Sequence, residues 1–291
     1  MEIIKPLLLH LYLRGTVRYR NRSVRELARE GRAPIVVPVF HRIADDRAND
    51  WTTSTAEFRE AILWLKENFE PISLEEAQRR IRSGRNDRAS VSITFDDGYA
   101  VNCEYALPLL IEEGIPCTYF VSSRPVLEGT PFGHDSAMGK YFAPNRVGEL
   151  RQLAEAGVEI GAHTRTHVDL GRLRDTDRLF DELVTARNEL EAALSVPIRY
   201  FAFPFGMHRN LSAAAFRLAR EAGYAGVCSA YGGYNFPGDD AFHIQRRCVD
   251  GMTVRLKNWA TLDPLHRRRI QRFNYQDKLM PPELAVLGTV S

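Results

Sequence analysis

Short runs rich in β-branched and aromatic residues recur at 35–40, 91–95, 117–121, 158–161, 200–203 and 225–228, and between them apolar positions repeat at helical spacing. Strands alternating with helices predict an α/β fold with a parallel sheet. The clearest helix opens at Ser54 or Thr55 and carries Phe58, Ile62, Leu65 and Phe69 on one stripe; a second ends near Gly84. Further helices are predicted over 102–113, 146–156, 175–194 and 212–222, and Gly114, Gly157 and Gly223 follow three of them where a left-handed terminating residue is wanted. Pro108 is expected to kink the first.

No repeat, low-complexity tract or long linker divides the chain, and 291 residues with 44% hydrophobic content suit one barrel-sized domain. A net charge of +2 gives no global attraction for nucleic acid, and none is expected as a partner. Cys103, Cys117, Cys228 and Cys248 stand far apart with no CxxC pair, which excludes a zinc ribbon or dithiol redox motif and predicts reduced, buried thiols.

The N-terminal stretch 3–13 is apolar but contains Lys5, Pro6 and His10, and falls short of the ~20 residues that cross a bilayer. Arg14, Arg18, Arg20 and Arg22 follow it, the reverse of a secretory leader, so the expected location is cytoplasmic, with peripheral contact at the inner membrane face through residues 1–33. A helix packed on the barrel with a solvated basic face is the competing reading. The tail beyond Arg255, with a basic cluster at 266–269, has no assigned role.

Candidate chemistry begins where the second strand runs into Asp96-Asp97-Gly98. Adjacent carboxylates at a strand end repel one another unless a cation or proton lies between them, although Asp-Gly is also an ordinary turn pair. The fourth strand ends in His163-Thr164-Arg165-Thr166-His167, two histidines four apart and within reach of one ion if the segment turns. Two histidines and one carboxylate leave positions open on zinc or a similar divalent metal, as a catalytic site requires. Two surface histidines in a polar loop is the alternative.

Taken together, the segments 94–98 and 163–167 resemble the first two motifs of the polysaccharide deacetylases, also called carbohydrate esterase family 4 or the NodB-homology domain. Ala202-Phe203-Pro204-Phe205-Gly206 is similar to the third motif, Arg-x-Pro-aromatic-Gly. The resemblance implies a distorted (β/α)7-type barrel over 34–251, flanked by an N-terminal helical extension, 1–33, and a C-terminal extension, 252–291. It makes Asp96 the general base and Asp97, His163 and His167 the ligands of one divalent ion, with zinc favoured. Phe205, with Pro204 and Gly206, would line the substrate and supply an oxyanion donor.

Two departures matter. The family's arginine falls at Ala202, so Arg246 or Arg247 is expected to orient the base. No Leu-x-His acid motif follows Gly206, where only His208, His243 and His266 remain; a circularly permuted branch of the family resembles this chain in carrying that strand at its start, which makes His41, after 37–40, the expected general acid. The expected activity is hydrolysis of an N-acetyl group from an amino sugar in a glycan or lipid-linked sugar. A related amide hydrolase (sugar deformylase or imidase) and a catalytically silent carbohydrate-binding barrel are the alternatives, and specificity is expected in the loops 130–144 and 231–240.

Overall fold

The computed structural model describes residues 4–46, 48–249, 253–267 and 270–276, with side chains from Leu7 onward. Its first predicted strand is split. Ile35–Val36 pairs with Ser90–Val91 and Tyr234–Asn235 in a four-stranded sheet edged by Glu70–Pro71, and after Val37 the chain enters a larger sheet. The 91–95 segment makes the same crossing at Ser92.

The larger sheet holds eight strands: β1 (Pro38–Phe40), β2 (Ile93–Phe95), β3 (Cys117–Val121), β4 (Glu159–Ala162), β5 (Tyr200–Ala202), β6 (Gly226–Cys228), β7 (His243–Ile244) and β8 (Arg247–Cys248). They lie in the order β7-β6-β5-β4-β3-β2-β1-β8, and every pairing is parallel. Only Gln245 and Arg246 separate the two edge strands in sequence, a span of at most about 11 Å. The sheet must therefore curl until its edges approach, which gives the expected distorted barrel with one short strand more than the seven anticipated.

Helices close the outside. Thr55–Asn68 begins in a capping box in which Ser54 Oγ accepts from the Glu57 N–H and Glu57 accepts from the Ser54 N–H, and it buries Phe58, Ile62 and Leu65. Phe58 meets Phe40 of β1 edge to face at 5.0 Å. Gly114, Gly157 and Gly223 all take left-handed φ. The expected kink at Pro108 is corrected: a 3-10 turn, Ala100–Cys103, precedes a separate helix, Ala106–Glu112, and Pro108 falls in its first turn, where no N–H is required. The 175–194 helix contains a π-turn at Asp181–Thr185. All four cysteines are free, Cys117 and Cys228 buried and Cys103 and Cys248 half-buried.

The N-terminal extension is one helix, α1 (Ile4–Arg29), which packs against the helix Thr253–Ala260. No helix among the described residues is long and apolar enough to cross a membrane. Tyr275, near the end of the described chain, stacks on Phe216 at 4.1 Å. Part of the basic cluster, 268–269, and the tail beyond Gln276 lie outside the described residues.

Candidate active site

Parallel strands deliver their C-terminal ends to one face, and the candidate residues gather there. Asp96 and Asp97 follow β2, His163 follows β4, Ala202 ends β5 and His41 follows β1. Four of the six non-glycine residues with positive φ among the described residues belong to this face: Asp97 (74°), Thr164 (60°), His167 (58°) and Phe205 (60°). Each conformation costs on the order of 1 kcal/mol or more, and such concentration is typical of a site whose side chains must be aimed.

The two neighbouring carboxylates have different surroundings. Asp96 receives two parallel hydrogen bonds from Arg246, 2.6 Å to Oδ1 and 2.8 Å to Oδ2. Arg246 is fully buried, also donates to the Ser229 carbonyl at 2.9 Å, and lies over the Phe120 ring. Burial alone would push the Asp96 carboxyl up, but the Arg246 guanidinium, through its charge and its hydrogen bonds, holds it below the ordinary carboxylate range. The Asp96 carboxylate is therefore ionised at neutral pH and held in one orientation.

Asp97 faces the histidines instead. Its Oδ1 lies 3.1 Å from His167 Nε2 and 3.5 Å from His163 Nε2, close to the ~3.3 Å edge of a tetrahedron with ~2.0 Å metal bonds. One ligand atom from each of Asp97, His163 and His167 lies within 4.8 Å of the others. His163 Nδ1 is 2.8 Å from the Ala202 carbonyl, to which it donates, so Nε2 presents a lone pair to the centre. Asp97 Oδ1 is buried without a hydrogen-bond partner. An anionic oxygen set among imidazole lone pairs is costly alone and well matched to a divalent cation, so this donor set fits one.

Three supporting residues gave no sequence signal. Glu182, in the π-turn, accepts from the Arg165 N–H at 3.0 Å and the Thr166 N–H at 2.9 Å, which fixes the loop between the two histidines. His134, from the loop at 130–144, brings its ring 4.4 Å from that of His167, with Nε2 3.9 Å from Asp97 Oδ2. Tyr99 OH lies 3.1 Å from that same Nε2, donates to Asp135 at 2.7 Å and accepts from Trp51 Nε1 at 2.8 Å. An isolated His-Asp pair in a Gly/Pro-containing loop has no periodicity to mark it.

At the third motif, Phe205 is 51% exposed and its ring stands 5.1 Å from that of His167, walling the centre. Pro204 has no N–H, and that of Gly206 is bonded to the Pro204 carbonyl at 2.6 Å, whereas the Phe205 N–H has no partner among the described residues. A Cβ on Gly206 would lie 2.5 Å from the Ala230 nitrogen, so the position demands glycine.

His41 stands partly exposed beside Asp96, since β1 and β2 pair Phe40 with Phe95 and the Asp96 N–H donates to the Phe40 carbonyl at 2.9 Å. Asn102 pins it by donating to its carbonyl at 2.7 Å. Desolvation lowers the His41 imidazole below its ordinary value, against the pull of Asp97 and Asp96. Arg247 does not reach the base: its guanidinium bonds His266 and lies over Trp259 at 5.9 Å, because neighbouring residues of an extended chain face opposite ways. The histidines that remain after Gly206 make other contacts. His243 bonds Ser229 and packs on Phe216, and His208 meets Phe273 edge to face.

The chain belongs to the polysaccharide deacetylase family, whose model, described as polysaccharide deacetylase, matches residues 83–227. That segment contains Asp96, Asp97, His163, His167 and Phe205 but neither His41 nor Arg246. The chain is 25% identical over 162 residues to a putative polysaccharide deacetylase, YxkH, of Bacillus subtilis, covering 52% of this chain and 53% of that one. It is 29% identical over 133 residues to a chitooligosaccharide deacetylase of Bradyrhizobium, covering 45% of this chain and 52% of that one. The chain thus spans about half the length of the curated relatives it matches. In fold it is similar to IcaB from Ammonifex degensii, with TM-score 0.65 and 22% identity over 78% of this chain and 97% of that one. It is also similar to the Streptococcus pyogenes deacetylase PplD solved with acetate, with TM-score 0.63 and 17% identity over 82% of this chain and all of that one.

Proposed function

We propose that this protein is a metal-dependent N-deacetylase acting on an amino sugar of a glycan or lipid-linked saccharide. The observation that carries the reading is the division of labour between neighbours: Asp96 paired with Arg246, and Asp97 facing His163 and His167. The names of the relatives, a chitooligosaccharide deacetylase among them, support the substrate class. Asp97, His163 and His167 would hold a divalent ion, with zinc favoured by the N2O donor set; such an ion lowers the pKa of water and polarises the amide carbonyl.

The chain's own groups account for the protons. Asp96, fixed in the Arg246 fork, accepts the proton of the attacking water, and the Phe205 N–H is available to the oxygen on which charge develops. His41 gives a proton to the departing nitrogen, without which an amine does not leave. Desolvation keeps the resting imidazole below its ordinary value, so it starts neutral and must take up a proton before it can give one. The products are acetate and a free amino sugar.

A base beside the ligand set has no use in a silent binding barrel. The test is a panel of N-acetylated and N-formylated amino sugars, sugar nucleotides and glycan oligomers, read for released acid and free amine. Acetate release supports the reading. Formate alone would make the protein a deformylase, and binding without turnover across the panel would leave a lectin-like barrel.

A further inference from the structure

One face of α1 is committed to the body of the protein. Tyr12 OH donates to Asp263 at 2.7 Å, Asn258 donates to the Leu9 carbonyl at 3.2 Å, and Val24 and Leu27 pack against the core. Arg20 is fully buried and donates to Asn258 Oδ1 and Thr261 Oγ1, each at 3.1 Å. The helix is therefore clamped and cannot turn its other side inward.

That other side is a single row. Steps of three or four residues give Leu7, Leu11, Arg14, Arg18, Arg22, Arg25 and Arg29, all exposed. Leu7 and Leu11 are 59% and 56% exposed, and Leu8 beside them 58%. Ile4–Arg29 contains six arginines and one lysine against a single acid, Glu26, which pairs with Arg22 at 2.7 Å. From Leu7 to Arg29 the row runs roughly 33 Å at 1.5 Å per residue.

We propose that this row rests on an anionic lipid surface, with the leucine end entering the headgroup boundary and the arginines lying over the phosphates. Charge complementarity chooses the occupant. Nucleic acid would take the arginines but has no use for three exposed leucines at the end of the row, whereas a bilayer surface takes both. Because the helix is clamped to Thr253–Ala260, contact would hold the barrel in one orientation on the membrane. The inference is independent of the enzymatic reading.

The full-length protein is sedimented with vesicles of phosphatidylcholine alone or mixed with phosphatidylglycerol, at low and high salt. Binding is expected on the mixed vesicles at low salt and is expected to fall as salt rises. Each arginine near the surface contributes about fivefold, so the triple variant Arg14→Gln, Arg18→Gln, Arg25→Gln should bind roughly 100-fold more weakly. Leu7→Ser with Leu11→Ser should lose about tenfold or more. All these positions are solvent-facing, and unchanged thermal unfolding would show that the fold is intact. Absence of binding to anionic vesicles at low salt, equal binding to neutral ones, or binding indifferent to both variants would overturn the proposal.

Discussion

Arg246 and Asp96 lie 150 residues apart in sequence and meet in a buried two-pronged ion pair, 2.6 and 2.8 Å long. Arg246 sits between the two edge strands of the curled sheet, so the contact exists only when the barrel has closed around it. Where the family's third motif carries its own arginine, this chain has Ala202, whose carbonyl instead receives His163. Arg246→Lys should keep the charge and lose the fork, lowering kcat roughly 10- to 100-fold with KM little changed. Removing the guanidinium altogether, as in Arg246→Ala, should cost about 3–5 kcal/mol of stability by leaving a buried carboxylate unpaired. Steady-state kinetics and denaturant titration read the two effects, and full turnover in Arg246→Lys would remove the positioning role.

Loss of one ligand should empty the proposed metal centre: His163→Ala is expected to bind no stoichiometric zinc by elemental analysis. Glu182→Gln, which loosens the loop between the histidines without touching the ion, should weaken affinity by about 10- to 100-fold in a chelator competition. Unchanged metal content in His163→Ala would refute the ligand assignment.

His41→Ala should retain metal and fold while losing most turnover, roughly 10²-fold or more. The leaving group separates a proton donor from a structural residue. An ester substrate, whose alcohol leaves without prior protonation more readily than an amine, should lose much less; equal losses on amide and ester would argue for a structural role.

Away from the site, His243 is buried against Phe216 and Ser229, and desolvation lowers its imidazole to about 4. The folded state therefore binds fewer protons than the unfolded chain between pH 6.5 and 4, and stability falls as pH drops through that window, by roughly 3 kcal/mol at pH 4. Asp240 raises this value while His208 and Arg272 lower it. His243→Gln should flatten urea midpoints across the window, even if the variant is less stable at pH 7. A slope as steep as in the unsubstituted protein would place the acid sensitivity elsewhere.

The strands and most helices were legible because their signals are local: periodicity, caps and terminating glycines. Asp96-Asp97-Gly98 and the His163 to His167 spacing were legible for the same reason, each being a short segment whose chemistry repeats a known pattern. Glu182 and His134 act through contacts long in sequence, and nothing near them announces a partner. The choice between Arg246 and Arg247 turned on which side of a two-residue connection each occupies, and Pro108 was misjudged because the sequence did not show where its helix restarts.

The central claim, that adjacent carboxylates perform separate tasks, is tested most directly by measuring zinc content and amide turnover side by side in Asp96→Asn and Asp97→Asn. The account predicts that Asp96→Asn keeps its metal and loses on the order of 10² to 10⁴ in turnover, while Asp97→Asn loses the metal itself. Near-normal turnover in Asp96→Asn, or full metal occupancy in Asp97→Asn, would contradict it.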